Sequence, residues 1–263
     1  MIDIRPIVDE GLGNASWMVG LGDGRALVVD PARDPAPYSA EAERAGWTIA
    51  MAVETHLHAD FVSGSHELAA SGAKVIAPRA SALGFEHHGL SDGEELDAGG
   101  LTLRALATPG HTPEHLAYLL LDGPRPLALF SGGSLLVGAA ARTDLIDPER
   151  TEEFARDLYR SITTRLMVLP DDLAVFPTHG AGSFCSAAGS TERTTTVGAE
   201  RAHNALLAAG NEDVFVNRLL ASLGTYPPYF LRLRDLNRRG PRIVGGTPLP
   251  VRLSVTELRK MVD

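Results

Sequence analysis

Apolar residues along this chain come in short runs, each closed by a glycine, a proline or a polar residue. "IRPIV" (4–8), "ASWMVGL" (15–21) and "ALVVD" (26–30) read as strands, and the Gly-Asp-Gly at 22–24 signals a hairpin between the last two. "SAEAERAG" (39–46) predicts a helix with a serine N-cap and a glycine stop. "TIAMAVET" (48–55) is a buried-type strand, "SGSHELAASG" (63–72) a helix capped by Ser63 or Ser65, and "AKVIAP" (73–78) the next strand. Further strands are predicted at 101–108, 116–122 and 126–132, a helix over 147–163, and a last strand in "LAVFPTHG" (173–180). Strands interleaved with helices in this way predict an α/β fold of two packed sheets with helices outside.

Residues 190–246 carry helical patterning and form an extension of the same domain, which therefore spans 1–246. The style breaks at 247–263, "TPLPVRLSVTELRKMVD", where a proline-rich link leads to a short apolar piece and a Ser254/Glu257 capping pattern. This segment reads as the opening of a further unit, left incomplete.

Charge and cysteine usage narrow the chemistry. The formal charge is −9 with no block of basic residues, which argues against nucleic acid or an anionic membrane as partner. No apolar run is long enough to span a bilayer, and the first twenty residues lack a secretory pattern, so a cytoplasmic location is expected. A single cysteine, Cys185, excludes an internal disulfide and a cysteine-based zinc cluster. Any metal must be held by histidine and aspartate.

Those ligands are present. In "ETHLHADFVSG" (54–64), His56, His58 and Asp60 fall two apart as the chain leaves a strand, and in extended backbone they point one way. Imidazole and carboxylate together suit zinc, iron or manganese. A lone histidine is more often a satisfied core residue, but this spacing makes ligation the economical reading. "TPGHTPEH" supplies His111 on a rigid turn, with His115 four residues on as a further ligand or an outer partner that orders one. "FPTHGAGS" supplies His179. His66, His87, His88 and His203 have no ligand neighbours and read as structural.

H-x-H-x-D, then "GHT", then "THG", in that order, resembles the metallo-β-lactamase fold over roughly residues 1–246. The resemblance implies an αββα sandwich of two mixed sheets with outer helices. "THLHADFVSG", "TPGHTPEHLAYLL", "SGGSLLVGAAARTDL" and "HGAGSFCS" look most like the persulfide dioxygenase branch, whose members oxidise glutathione persulfide to sulfite with one non-haem iron. Some members carry a rhodanese domain, and 247–263 is similar to the first strand and helix of one. A homodimer is the expected assembly, and a thiol persulfide the expected small-molecule partner.

Two residues depart from the family pattern. Two-metal hydrolases of the fold have histidine after H-x-H-x-D, where this chain has Phe61, which favours one divalent metal, Fe(II) before Zn(II). The family's "GD" pair is Gly132-Gly133 here, which removes a carboxylate ligand. His56, His58 and His111 then form the expected metal face, or Asp60 swings in, or the metal is lost. Arg142 is a candidate for a substrate carboxylate or for a loop ion pair with Asp144. Cys185 is a candidate sulfur acceptor or a small buried apolar residue. Three functions follow: persulfide dioxygenase, thioester hydrolase of the glyoxalase II kind, or a non-catalytic sulfur-binding domain.

Overall fold

A computed structural model of the protein describes residues 2–185, 190–246, 254 and 259–261. The expected unit at 247–263 thus lies almost wholly outside the described residues.

Strands β1 (Ile4–Asp9), β2 (Asn14–Gly20), β3 (Arg25–Val29), β4 (Thr48–Val53), β5 (Lys74–Pro78) and β6 (His88–Leu90) form one sheet in chain order. The first three run antiparallel and β3 to β6 are parallel. Strands β7 (Glu95–Ala98), β8 (Leu101–Ala107), β9 (Leu116–Asp122), β10 (Arg125–Gly132), β11 (Ala174–Pro177) and β12 (Thr195–Thr196) form the other. Both sheets are mixed, since β10 and β11 are the parallel pair of the second.

Each sheet is buried on both faces, which is why runs such as "ASWMVGL" are continuously apolar. Trp17 and Val19 point inward to Leu103, Tyr118, Leu120 and Phe130 of the second sheet. Met18, between them, points outward with Val28 and Ala52 to helices α1 (Ala36–Ala45) and α2 (Ser65–Ala70). The outer face of the second sheet is covered by α3 (Thr151–Ser161), whose Ala155 and Leu158 meet Leu119 and Leu129, and by Phe215, Val216 and Leu219 of α5 (Glu212–Ala221). Two shorter helices of the extension are α4 (Val197–His203) and α6 (Phe230–Arg239).

The predicted caps are corrected in two places. Helix α1 begins at Ala36 on Pro35, with Ser39 inside its first turn, although Gly46 ends it in the left-handed region (φ 69°) as expected. Helix α2 has Gly64 at its N-cap, with Ser63 one residue earlier accepting from Ser65 N–H at 3.0 Å, and the hydroxyls of Ser63 and Ser65 both donate to Glu54 Oε1. Both polar groups are thereby drawn toward the strand ends, where the candidate ligands collect.

Candidate metal centre

The site lies where β3, β4, β10 and β11 end, on the seam between the sheets. Asp30 follows β3 with a left-handed φ of 50°, a conformation that aspartate tolerates at modest cost. Its fully buried carboxylate accepts from Thr55 N–H and Thr55 Oγ1 at 2.7 Å each, and from Thr178 Oγ1 of the opposite sheet. Trp17 Nε1 reinforces the seam by donating to Pro177 O at 2.9 Å.

Three imidazoles converge here with fixed tautomers. Thr55 Oγ1 spends its proton on Asp30, so it accepts from His56 Nδ1–H (2.8 Å). His111 Nδ1–H donates to Arg142 O (2.7 Å), and His179 Nδ1–H to Asn14 Oδ1 (3.0 Å). Each Nε2 is left bare, and those of His56 and His179 face each other at 3.4 Å. Two bare lone pairs at that distance repel unless a cation lies between or beside them. An imidazole whose far nitrogen donates to a carbonyl, hydroxyl or amide oxygen is the usual arrangement of a metal ligand. Burial holds His56 and His111 neutral, the latter down to about 3, so their lone pairs are free at any ordinary pH.

The ligand atoms of His56, His111 and His179 lie within 4.8 Å of one another, as do those of His58, Asp60 and His179. His179 thus joins two lobes. His58 does not stand with His56 and His111 as one face. It does lie beside His56, with ring centroids 4.1 Å apart, and its ligand atom groups with those of His56 and Asp30. His58 Nε2 sits 3.2 Å from Asp30 Oδ1 and 3.1 Å from Glu54 Oε2. Burial disfavours its charge, but those two carboxylates outweigh burial and raise its pKa to about 10. Its Nδ1 and Asp60 Oδ1 are buried without a hydrogen-bond partner among the described residues. Asp60 Oδ2 is held by Asn14 Nδ2 at 2.7 Å. An orphaned buried carboxylate oxygen, Asp60 Oδ1, beside three bare imidazoles is what an ion of this donor class would satisfy, so the residues present fit a divalent metal.

The remaining candidates are placed as follows. Gly133 N–H donates to His115 Nε2 (3.0 Å), and His115 Nδ1–H donates to Thr108 Oγ1 (2.8 Å), which leaves His115 no lone pair for an ion. Phe61 is buried and stacked on His58, with ring centroids 4.2 Å apart. A Cβ on Gly133 would stand 2.4 Å from His111 Cδ2, so the imidazole occupies the space that a side chain there would need. Arg142 is committed to Asp144, Phe184 O and Gly224 O, with its guanidinium 4.5 Å over the Tyr226 ring. Cys185 is buried with Ala59 and Phe230, and burial together with the Asp60 charge pushes its thiol pKa up.

Asp30, Glu54 and Asn14 escaped the reading by motif. The signal for the first two was present: an acid closes each of the apolar strands β3 and β4, the same position that drew attention to the histidines.

Residues 8–179 match the metallo-β-lactamase superfamily. The chain belongs to that superfamily. Among other members, the human mitochondrial persulfide dioxygenase is 30% identical over 183 residues, 68% of either chain. A hydroxyacylglutathione hydrolase of Pseudomonas entomophila is 32% identical over 180 residues, 68% of this chain and 65% of its own length. The crystal structure of a metallo-β-lactamase from Staphylococcus aureus superposes with a TM-score of 0.84 at 30% identity, over 92% of this chain and 74% of that one. The αββα architecture of this metallo-β-lactamase domain is thereby shared with solved members. No helix among its described residues is long and apolar enough to cross a membrane.

Proposed function

We propose that the protein is a mononuclear, metal-dependent persulfide dioxygenase acting on glutathione persulfide or a related thiol persulfide. The overall reaction consumes one persulfide, one O2 and one water, and releases the thiol, sulfite and two protons. The observation that carries this reading is the set of three bare Nε2 atoms on His56, His111 and His179, beside a sixth motif position filled by Phe61. A ring that cannot coordinate argues against the paired ions of a two-metal hydrolase.

His56, His111 and His179 would hold the ion, with His58 and Asp60 alongside. A bound divalent ion, Fe(II) before Zn(II), supplies the redox and Lewis-acid chemistry. The chain's own residues do the rest. Thr55, Arg142 O and Asn14 fix the three imidazole tautomers. Phe61 and the burial of every ligand exclude bulk water. The Asp30–His58–Glu54 group holds charge next to the site without an exposed titrating side chain.

The test is oxygen uptake by the Fe(II)-loaded protein with glutathione persulfide, with sulfite measured as product. Uptake matched by sulfite supports the proposal, and no uptake with iron demonstrably bound overturns it. The similarity to a hydroxyacylglutathione hydrolase motivates one control, turnover of S-lactoylglutathione by the Zn(II)-loaded protein. Turnover there, without oxygen uptake, would assign the thioester hydrolase instead. Less than about a tenth of an equivalent of metal in the purified protein would favour a non-catalytic sulfur-binding domain, since intact ligand sets normally hold zinc tightly.

A further inference from the structure

Helix α6 touches both ligand-bearing loops through two polar side chains three residues apart. Asn237 is 4% exposed. Its Nδ2 donates to His58 O at 2.8 Å and to Phe61 O at 2.9 Å, while its Oδ1 accepts from Ser63 N–H at 2.9 Å. Arg234 donates to Glu114 Oε2 at 2.7 Å, and Glu114 Oε1 accepts from Leu57 N–H at 3.1 Å. Glu114 belongs to the loop between His111 and His115. Phe230, one turn earlier on the helix, packs against Ala59.

Among the described residues, 57–62 make no backbone–backbone hydrogen bond. The carbonyls of the loop that carries His58 and Asp60 are therefore held by α6, about 175 residues away in sequence, while Asn14 of β2 holds the Asp60 side chain. Two buried polar atoms without a hydrogen-bond partner, His58 Nδ1 and Asp60 Oδ1, lie between the points where the clamp grips.

We infer that Asn237 is a positioning residue for the metal loop, and that docking of α6 and occupancy of the metal site favour each other. This rests on the reading that the site takes a metal. Coupling of this kind is reciprocal: if α6 shapes the loop, an ion in the loop must hold α6 down.

The test measures Zn(II) affinity by chelator competition for the wild type, Asn237→Ala and Asn204→Ala. Asn204 is an equally buried asparagine that bonds Ala139 O and Glu200, away from the ligands, and reports the effect of losing a buried amide as such. Asn237→Ala should bind Zn(II) ~10–100-fold more weakly, as loss of outer partners does, and its Co(II) absorption spectrum should change. Asn204→Ala should stay within about threefold, since it lowers stability and leaves the ligands in place. Hydrogen exchange on the wild type keeps the inference testable if a variant fails to fold. Amides of 231–239 should slow on metal addition, up to ~100-fold at a hundred times Kd, if the undocked state does not bind. Equal affinity of Asn237→Ala and wild type, or α6 exchange indifferent to bound metal, overturns the inference alone. A wild type that binds no divalent ion overturns it together with the proposed function.

Discussion

Replacing Gly133 by aspartate restores the family's residue, and the structure gives a reason to expect harm. The new Cβ would lie 2.4 Å from His111 Cδ2 and 3.0 Å from its Cγ and Nε2, well inside ordinary contact. His111 cannot easily yield. It is buried, its Nδ1 is bonded to Arg142 O, and Arg142 N–H is bonded in turn to Cys185 O at 3.0 Å. Forcing extra atoms into such a place costs about 1–3 kcal/mol, and losing the His111–Arg142 bond adds about 1 kcal/mol. A total of about 2–4 kcal/mol corresponds to a fall in Tm of roughly 4–16 °C for a domain of this size. Thermal melting of the metal-free protein reads the stability, and chelator competition reads Zn(II) affinity, which should fall because one of the three converging rings is displaced. Gly133→Ala should give most of the same loss without adding a carboxylate, which isolates the steric part. A Gly133→Asp protein that melts like the wild type and binds zinc more tightly would show that the site has room for the carboxylate, and the reasoning would be wrong.

Three further outcomes are expected. Burial holds His56 and His111 neutral, so their contribution to stability is full above about pH 6.5 and is lost as pH falls toward the His111 value of about 3. His58 runs the other way: raised to about 10, it contributes fully below about pH 6.5 and loses that contribution as pH rises through 10. Urea midpoints of the metal-free protein should therefore peak near pH 6.5, and a midpoint still climbing from pH 7 to 9 would contradict this. Arg142→Ala, stripped of its bonds to Asp144, Phe184 O and Gly224 O, should lose about 2–4 kcal/mol in denaturant titration, while binding of S-methylglutathione by calorimetry stays unchanged. Cys185, 1% exposed with a raised thiol pKa, should resist a thiol reagent in the native protein and react fully only in denaturant.

The strands that build the sandwich were legible because each is a run of apolar residues bounded by breakers. Three were not: β6 ("HGL"), β7 ("ELDA") and β12 ("TT") are too short and too polar to carry a pattern, and they exist because a neighbouring strand presents an open edge. At the site, a position just past a strand end was readable, so His56, His111 and His179 stood out. The direction of a side chain was not readable. Two-residue periodicity places His58 beside His56, and their ring centroids are 4.1 Å apart, but two buried carboxylates draw His58 Nε2 to themselves. Arg142 shows the same limit, since a motif cannot tell whether carbonyls 42 and 82 residues away will use up its donors. The clamp by Asn237 was invisible for the same reason.

The chain completes one sheet, residues 4–90, before it starts the other at 95, and the candidate ligands divide along that line. His56, His58 and Asp60 come with the first half, and His111 and His179 with the second. Neither half holds a full ligand set, so two fragments separated in the turn at Asp92–Gly93 would carry complementary parts of one centre. An ion would act as their common fastener, and the assembly of the pair would report its concentration.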